Sequence, residues 1–163
     1  MKKLSTALLM LVLVLTNLST TAFAPVTASS SCTKSFPCFI TGKELIMKDP
    51  GGTGYAVSLK AELQYYRDIL GIEHVAAVAV VWFYPQSVKV RAQYWASMYG
   101  SASANSPVAT CNAMMATSCM VISPYQTGHL AKTDYYHVNA SAYITWPSGT
   151  ITQGSAGVDA SNF

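Results

Sequence analysis

The chain has 163 residues, 10 Lys plus Arg against 7 Asp plus Glu, a formal net charge of +3, and only 10% charged side chains against 51% hydrophobic ones. That is one domain's length, and a near-balanced charge with no Lys/Arg cluster argues against nucleic acid or an anionic membrane as partner, since both require concentrated cations. The polar positions are filled mainly by Ser, Thr, Gln and Asn, a composition familiar from secreted β-proteins.

The first segment reads as an export signal. Met1-Lys2-Lys3 is a short basic start, Ala7 to Leu15 is an apolar run, and Val26-Thr27-Ala28 supplies small residues where a signal peptidase cuts, so residues 1–28 are expected to be a cleaved signal peptide. The apolar run falls short of the ~20 helical residues that span a bilayer, and no stable membrane insertion is expected. About 135 residues remain, with eight basic and seven acidic side chains. A chain of that size buries roughly two-thirds of its unfolded surface. The expected location is secreted and extracellular.

Four cysteines fall in the exported part, Cys32, Cys38, Cys111 and Cys119. An even number in an exported chain points to disulfides rather than to a metal or catalytic thiols. Three pairings exist and the sequence does not choose among them, with the two short local loops favoured. The spacings do not match a zinc site, and no metal or other cofactor is expected.

Residues 29–54 read as an N-terminal arm carrying Cys32 and Cys38, with one short strand near Phe36–Ile40 and a turn at Asp49-Pro50-Gly51-Gly52. Residues 55–69 fit two patterns. Period two puts Tyr55, Val57, Leu59, Ala61, Leu63 and Tyr65 on one face, whereas Leu59, Leu63, Tyr66 and Leu70 form a helical stripe. The alternation covers more positions, so a strand is expected. The run His74–Tyr84 is apolar almost throughout and rich in Val, the mark of a strand buried on both faces. Pro85 ends it. Residues 88–99 alternate strictly, with Val88, Val90, Tyr94 and Met98 on one side and Lys89, Arg91, Gln93, Trp95 and Tyr99 on the other, and are expected to close a β-hairpin with the apolar strand.

Residues 100–125 read as surface loop around the Cys111–Cys119 segment, with a short strand at Met120-Val121-Ile122. Alternation returns in residues 134–146, where Val138, Ala140, Ala142, Ile144 and Trp146 oppose His137, Asn139, Ser141, Tyr143 and Thr145. A last strand is expected over Thr150–Val158. The fold class is therefore all-β: an antiparallel β-sandwich of about five to seven long strands, disulfide-stabilised, with its domain at residues 55–163.

No arrangement of catalytic residues stands out. There is no Gly-x-Ser-x-Gly elbow, no phosphate-cradling glycine loop, and the three histidines, His74, His129 and His137, read as solvated or edge residues. Glu62 and Asp68, of like parity on one strand, would lie ~20 Å apart, too far to flank a glycosidic bond. The expectation is a protein that is not an enzyme.

The aromatic side chains carry more information. Ten Tyr and three Trp exceed what so small a core uses. Trp95 and Tyr99 share the solvent side of their strand with Lys89 and Arg91, and Tyr66 and Tyr143 take the polar parity of theirs. Rigid rings among Gln, Ser and a few cations make a surface suited to a polysaccharide or an extracellular protein. The expected function is therefore binding or structural, at the bacterial cell surface or in the extracellular matrix. The alternative is a secreted inhibitor or bacteriocin-like antagonist acting through the Cys111–Cys119 loop, which holds Met114 and Met115.

Overall fold

The computed structural model describes residues 24–25, 32–84, 90–113, 117–128, 130–131 and 133–161. Most of the expected leader, Lys89, His129 and the Met114-Met115 pair lie outside the described residues.

Every regular element among the described residues is a strand: β1 (Ala24–Pro25), β2 (Cys38–Thr41), β3 (Leu45–Lys48), β4 (Ala56–Arg67), β5 (Glu73–Tyr84), β6 (Arg91–Gly100), β7 (Ala104–Asn105), β8 (Ala109–Asn112), β9 (Ser118–Ile122), β10 (Gln126–Gly128), β11 (Tyr135–Thr145) and β12 (Ile151–Ser161). They form two sheets. The first runs β1-β12-β11-β6-β7, with β8 also on β6. The second runs β10-β5-β4-β2, with β3 also on β4 and β9 also on β5. Pairing is antiparallel throughout, apart from the two-residue β1, which lies parallel to β12.

The expected alternation of residues 55–69 is realised as β4. Val57, Leu59, Ala61, Leu63 and Tyr65 enter one buried cluster with Val75, Ala77, Ala79, Val81 and Phe83 of β5. The same cluster takes Ala92, Tyr94, Ala96 and Met98 from β6 and Val138, Ala140, Ala142 and Ile144 from β11. Across it β4 meets β11 and β12, and β5 meets β6. Many inward positions are Ala, which leaves room for the large rings of Tyr136 and Trp146, both almost fully buried. Such a core is filled by alternating small and large side chains rather than by uniform ones.

The expected hairpin of the apolar strand with residues 88–99 is not formed. β5 pairs with β4, β9 and β10, and β6 with β11, β7 and β8. The two strands sit in different sheets because each has an apolar face to bury, and the facing sheet covers both at once. The arm also contributes more than one strand, since β2 and β3 both extend the second sheet along β4. In residues 100–125, β7 and β8 stand where loop was expected, and β9 contains the strand expected at Met120-Val121-Ile122.

Cys32 is bonded to Cys38, with Cα atoms 5.4 Å apart, and Cys111 to Cys119 at 6.2 Å. The second bridge joins β8 of the first sheet to β9 of the second. Both bonds are consistent with an extracellular protein.

Candidate functional site

The outer face of the first sheet collects the aromatic residues that the strand parity turns away from the core. β11 runs between β6 and β12, and its register sets the neighbours. Tyr99 stands opposite His137, Trp95 opposite Ser141, and Gln93 opposite Tyr143. On the other side His137 stands opposite Asp159 and Ser141 opposite Ser155.

Two ring groups result. Trp95 and Tyr143 are diagonal neighbours with centroids 5.4 Å apart and planes tilted by 41°. Tyr99 and His137 lie at 4.6 Å and 32°. Diagonal and direct cross-strand contacts of this kind are the usual unit of sheet-face packing. Tyr99 is 53% exposed, Tyr143 39% and Tyr135 37%, and Trp95 is half-buried. Trp95 and Tyr99 are four residues apart on one strand, which spaces the ring groups by ~13 Å.

The upper group has its own polar support. The His137 ring is bonded through Nδ1 to Asp159 Oδ1, and Tyr135 Oη donates to the same oxygen at 2.9 Å. The Tyr135 phenol is held above its ordinary pKa by burial first, then by that bond and by the Asp159 charge. Between the ring groups lies a strip of short polar side chains. Ser155 Oγ donates to Asn139 Oδ1 at 2.8 Å and lies 3.0 Å from Ser141 Oγ. Within it Ser155 is exposed, Asn139 half-buried and Ser141 buried.

Of the residues expected to bind, Trp95, Tyr99 and Tyr143 are thus brought together. Arg91 is exposed at the end of β6 that pairs with Thr145, on the same face and near Tyr143 in register. Lys89 lies outside the described residues. Tyr66 departs from the expectation. It has the outward parity of β4, but β4 belongs to the second sheet, and its ring is 5% exposed, stacked on His74 at 4.7 Å and met edge-on by Tyr125 at 4.9 Å. It is a packing residue there.

Sequence reasoning placed His137 and Asn139 on the side of Tyr143 but did not join them to Trp95 and Tyr99, and it missed Tyr135, Ser155 and Asp159, the last lying beyond the end expected for the final strand. Their convergence required the pairing of three strands distant in sequence. Met114 and Met115, which motivated the loop alternative, lie outside the described residues. No family model, no curated protein and no solved structure matches this chain.

Proposed function

We propose that the chain is a secreted, non-enzymatic β-sandwich that binds a polysaccharide on the outer face of its first sheet, at the cell surface or in the extracellular matrix. The observation that carries this reading is the pair of ring groups, Trp95 with Tyr143 and Tyr99 with His137, separated by the polar Ser141–Ser155–Asn139 strip. Sugar rings present apolar C–H faces to aromatic planes and hydroxyls to amides and hydroxyls, so alternating rings and short polar groups match a glycan chain lying flat. A spacing of ~13 Å suits a short run of sugars rather than a single one.

The face also argues for binding without turnover. Asp159 is the only carboxylate in β6, β11 and β12 and is engaged by His137 and Tyr135. Glycoside hydrolysis ordinarily uses two carboxyl groups flanking the bond.

The test is retention of the purified protein on a panel of insoluble polysaccharides, followed by titration with soluble oligosaccharides of the one that retains it. Trp95→Ala and Tyr99→Ala should each weaken binding by roughly tenfold or more while the melting temperature stays near that of the wild type. Undiminished binding by both variants would remove this face as the site.

A further inference from the structure

The second sheet turns one face to the core and one away from it. Period two sends Ser58, Lys60, Glu62 and Gln64 of β4 to the outer side, and the register sets Trp82, Val80, Val78 and Ala76 of β5 directly opposite them. Ile122 and Met120 of β9 stand beside Val78 and Val80. On the other flank Phe39 of β2 stands opposite Gln64, and Ile46 of β3 opposite Ser58. None of these residues belongs to the shared buried cluster.

The centre of this outer face is nonetheless out of water. Ser58, Ala76 and Val78 are fully buried, and Gln64 and Val80 are only 7% and 8% exposed. No described strand lies across them, since the first sheet packs on the core side. The rim is open by contrast, with Phe39 at 45% and Ile46 and Met120 each at 58% exposure. A strand as apolar on both sides as β5 requires a cover on each.

Two polar atoms at the centre lack partners. Ser58 Oγ and Gln64 Oε1 are buried with no hydrogen bond among the described residues, a costly state for either group. Lys60 and Glu62 lie between them on β4, and neither enters an ion pair among the described residues. Glu62 Oε1 accepts from Thr41 Oγ1 at 3.3 Å, and Lys60 Nζ lies over the Trp82 ring.

We propose that a second copy of this chain docks on the outer face of the second sheet, related to the first by a two-fold axis that crosses the strands at the level of Ala61. Such a contact requires a self-complementary surface. The axis sets Ser58 against Gln64 of the second copy, hydroxyl donor to orphan carbonyl, and Lys60 against its Glu62, each pairing occurring twice. The same operation sets Ala76 against Trp82, Val78 against Val80, Ile122 against Met120 and Phe39 against Ile46, following the registers along β5, β9, β2 and β3. Small thus meets large, and open rim meets open rim. A different protein as partner would not require the orphan atoms and the charges to be mirrored about one level. Aligned sheets pack ~10 Å apart with their strands rotated by ~30°, so the pairings nearest the axis are the closest. The rows from Ala56 to Tyr66 across four strands cover ~35 Å by ~19 Å, roughly 700 Å² per copy, near the ~800 Å² per partner of a standard specific interface. The proposal is independent of the polysaccharide reading, whose face lies on the other sheet and stays free in this dimer.

The experiment is sedimentation of the protein purified after export, with both disulfides intact, over a dilution series. Wild type should be a dimer at micromolar concentration and dissociate on dilution. Lys60→Glu places like charges opposite one another twice and should weaken the dimer by roughly hundredfold or more, as should Glu62→Lys. Both substitutions in one chain exchange the charges and should restore most of the association. Ala76→Trp should dissociate the dimer as well, because two indoles then compete for one space. Far-UV circular dichroism matching wild type separates dissociation from misfolding in each variant. Wild type that stays monomeric up to its solubility limit overturns the proposal and assigns the cover to another segment of the same chain. A dimer that survives both single charge reversals, or that the double reversal fails to restore, overturns it and moves the contact to another face.

Discussion

His137 and Asp159 stand directly opposite one another on β11 and β12, and the imidazole is bonded to the carboxylate that also accepts the Tyr135 hydroxyl. One oxygen therefore positions two rings, one of which lies against Tyr99. Asp159→Asn keeps the shape and removes the charge. The Tyr135 pKa should then fall part of the way back toward the usual phenol value, since burial, its larger cause, remains. Phenolate absorbance as a function of pH checks this. A Tyr135 titration identical in the variant would mean that the carboxylate does not govern the phenol.

The β4–β5 turn should be sensitive to acid. The Asp68 carboxyl is held below the usual carboxylate range by its bond to His74 first, and also by the Ile72 and Leu70 amides and the His74 charge, against a smaller opposing effect of burial. Because the folded pKa lies below the unfolded one, the stability linked to Asp68 is present above about pH 4 and is lost as pH falls through the folded value. Asp68→Ala should lower the melting temperature at neutral pH, and the difference from wild type should shrink in strong acid. A difference that persists undiminished in acid would contradict the ionised carboxylate as its source.

Neighbouring positions on β5 should respond differently to the same charge. Val81 is fully buried in the shared cluster, so Val81→Asp should cost more than about 4 kcal/mol and leave no folded protein. Val80 faces away from that cluster and pairs directly with Lys60, whose Nζ lies 5.0 Å from the Trp82 ring centroid. Val80→Asp should cost less, because a cation stands opposite the new carboxylate. Denaturant midpoints and soluble yields distinguish the two. Equal loss from both would show that the outer side of β5 tolerates charge no better than the inner.

Gly100 closes β6 at φ +123°, and a side chain there would run into the Tyr135 carbonyl. Gly100→Ala should destabilise by at least about 2 kcal/mol, combining backbone strain with a clash against main chain that does not swing aside. Displacement of Tyr135 should also loosen its bond to Asp159. Thermal melts of the variant give the cost, and a loss below about 0.5 kcal/mol would mean that the approach of β6 to β11 relaxes freely.

Period-two patterning made much of this molecule legible before any pairing was known. The inward and outward sets of β4, β6 and β11 follow directly from Val57 to Tyr65, from Ala92 to Met98 and from Val138 to Ile144. Partner choice was not legible. Adjacent apolar and alternating segments invite a hairpin reading, yet β5 and β6 lie in different sheets and meet across the core. Tyr66 shows the same limit on a smaller scale, since parity gave its side of the strand but not that His74 and Tyr125 would enclose it. β3 stayed hidden because Leu45-Ile46-Met47-Lys48 is too short to show a period. The site was half readable: Trp95, Tyr99 and Tyr143 announce themselves by their outward parity, while the Tyr99–His137–Asp159 row exists only through the alignment of three strands.

The central place of β11 has a consequence for the order in which the molecule can assemble. β11 pairs on both sides, with β6 and with β12, and β12 is the last strand among the described residues. The first sheet is therefore incomplete until the chain through Ser161 is present. Both disulfides, by contrast, close over separations of only 6 and 8 residues and depend on nothing further along the chain. A polypeptide delivered from its N-terminus can thus be covalently fixed at two points while its long-range pairing still waits. Chains truncated before residue 135 should carry both bonds yet lack a cooperative melt, and a sharp transition in such a fragment would place completion of the fold earlier.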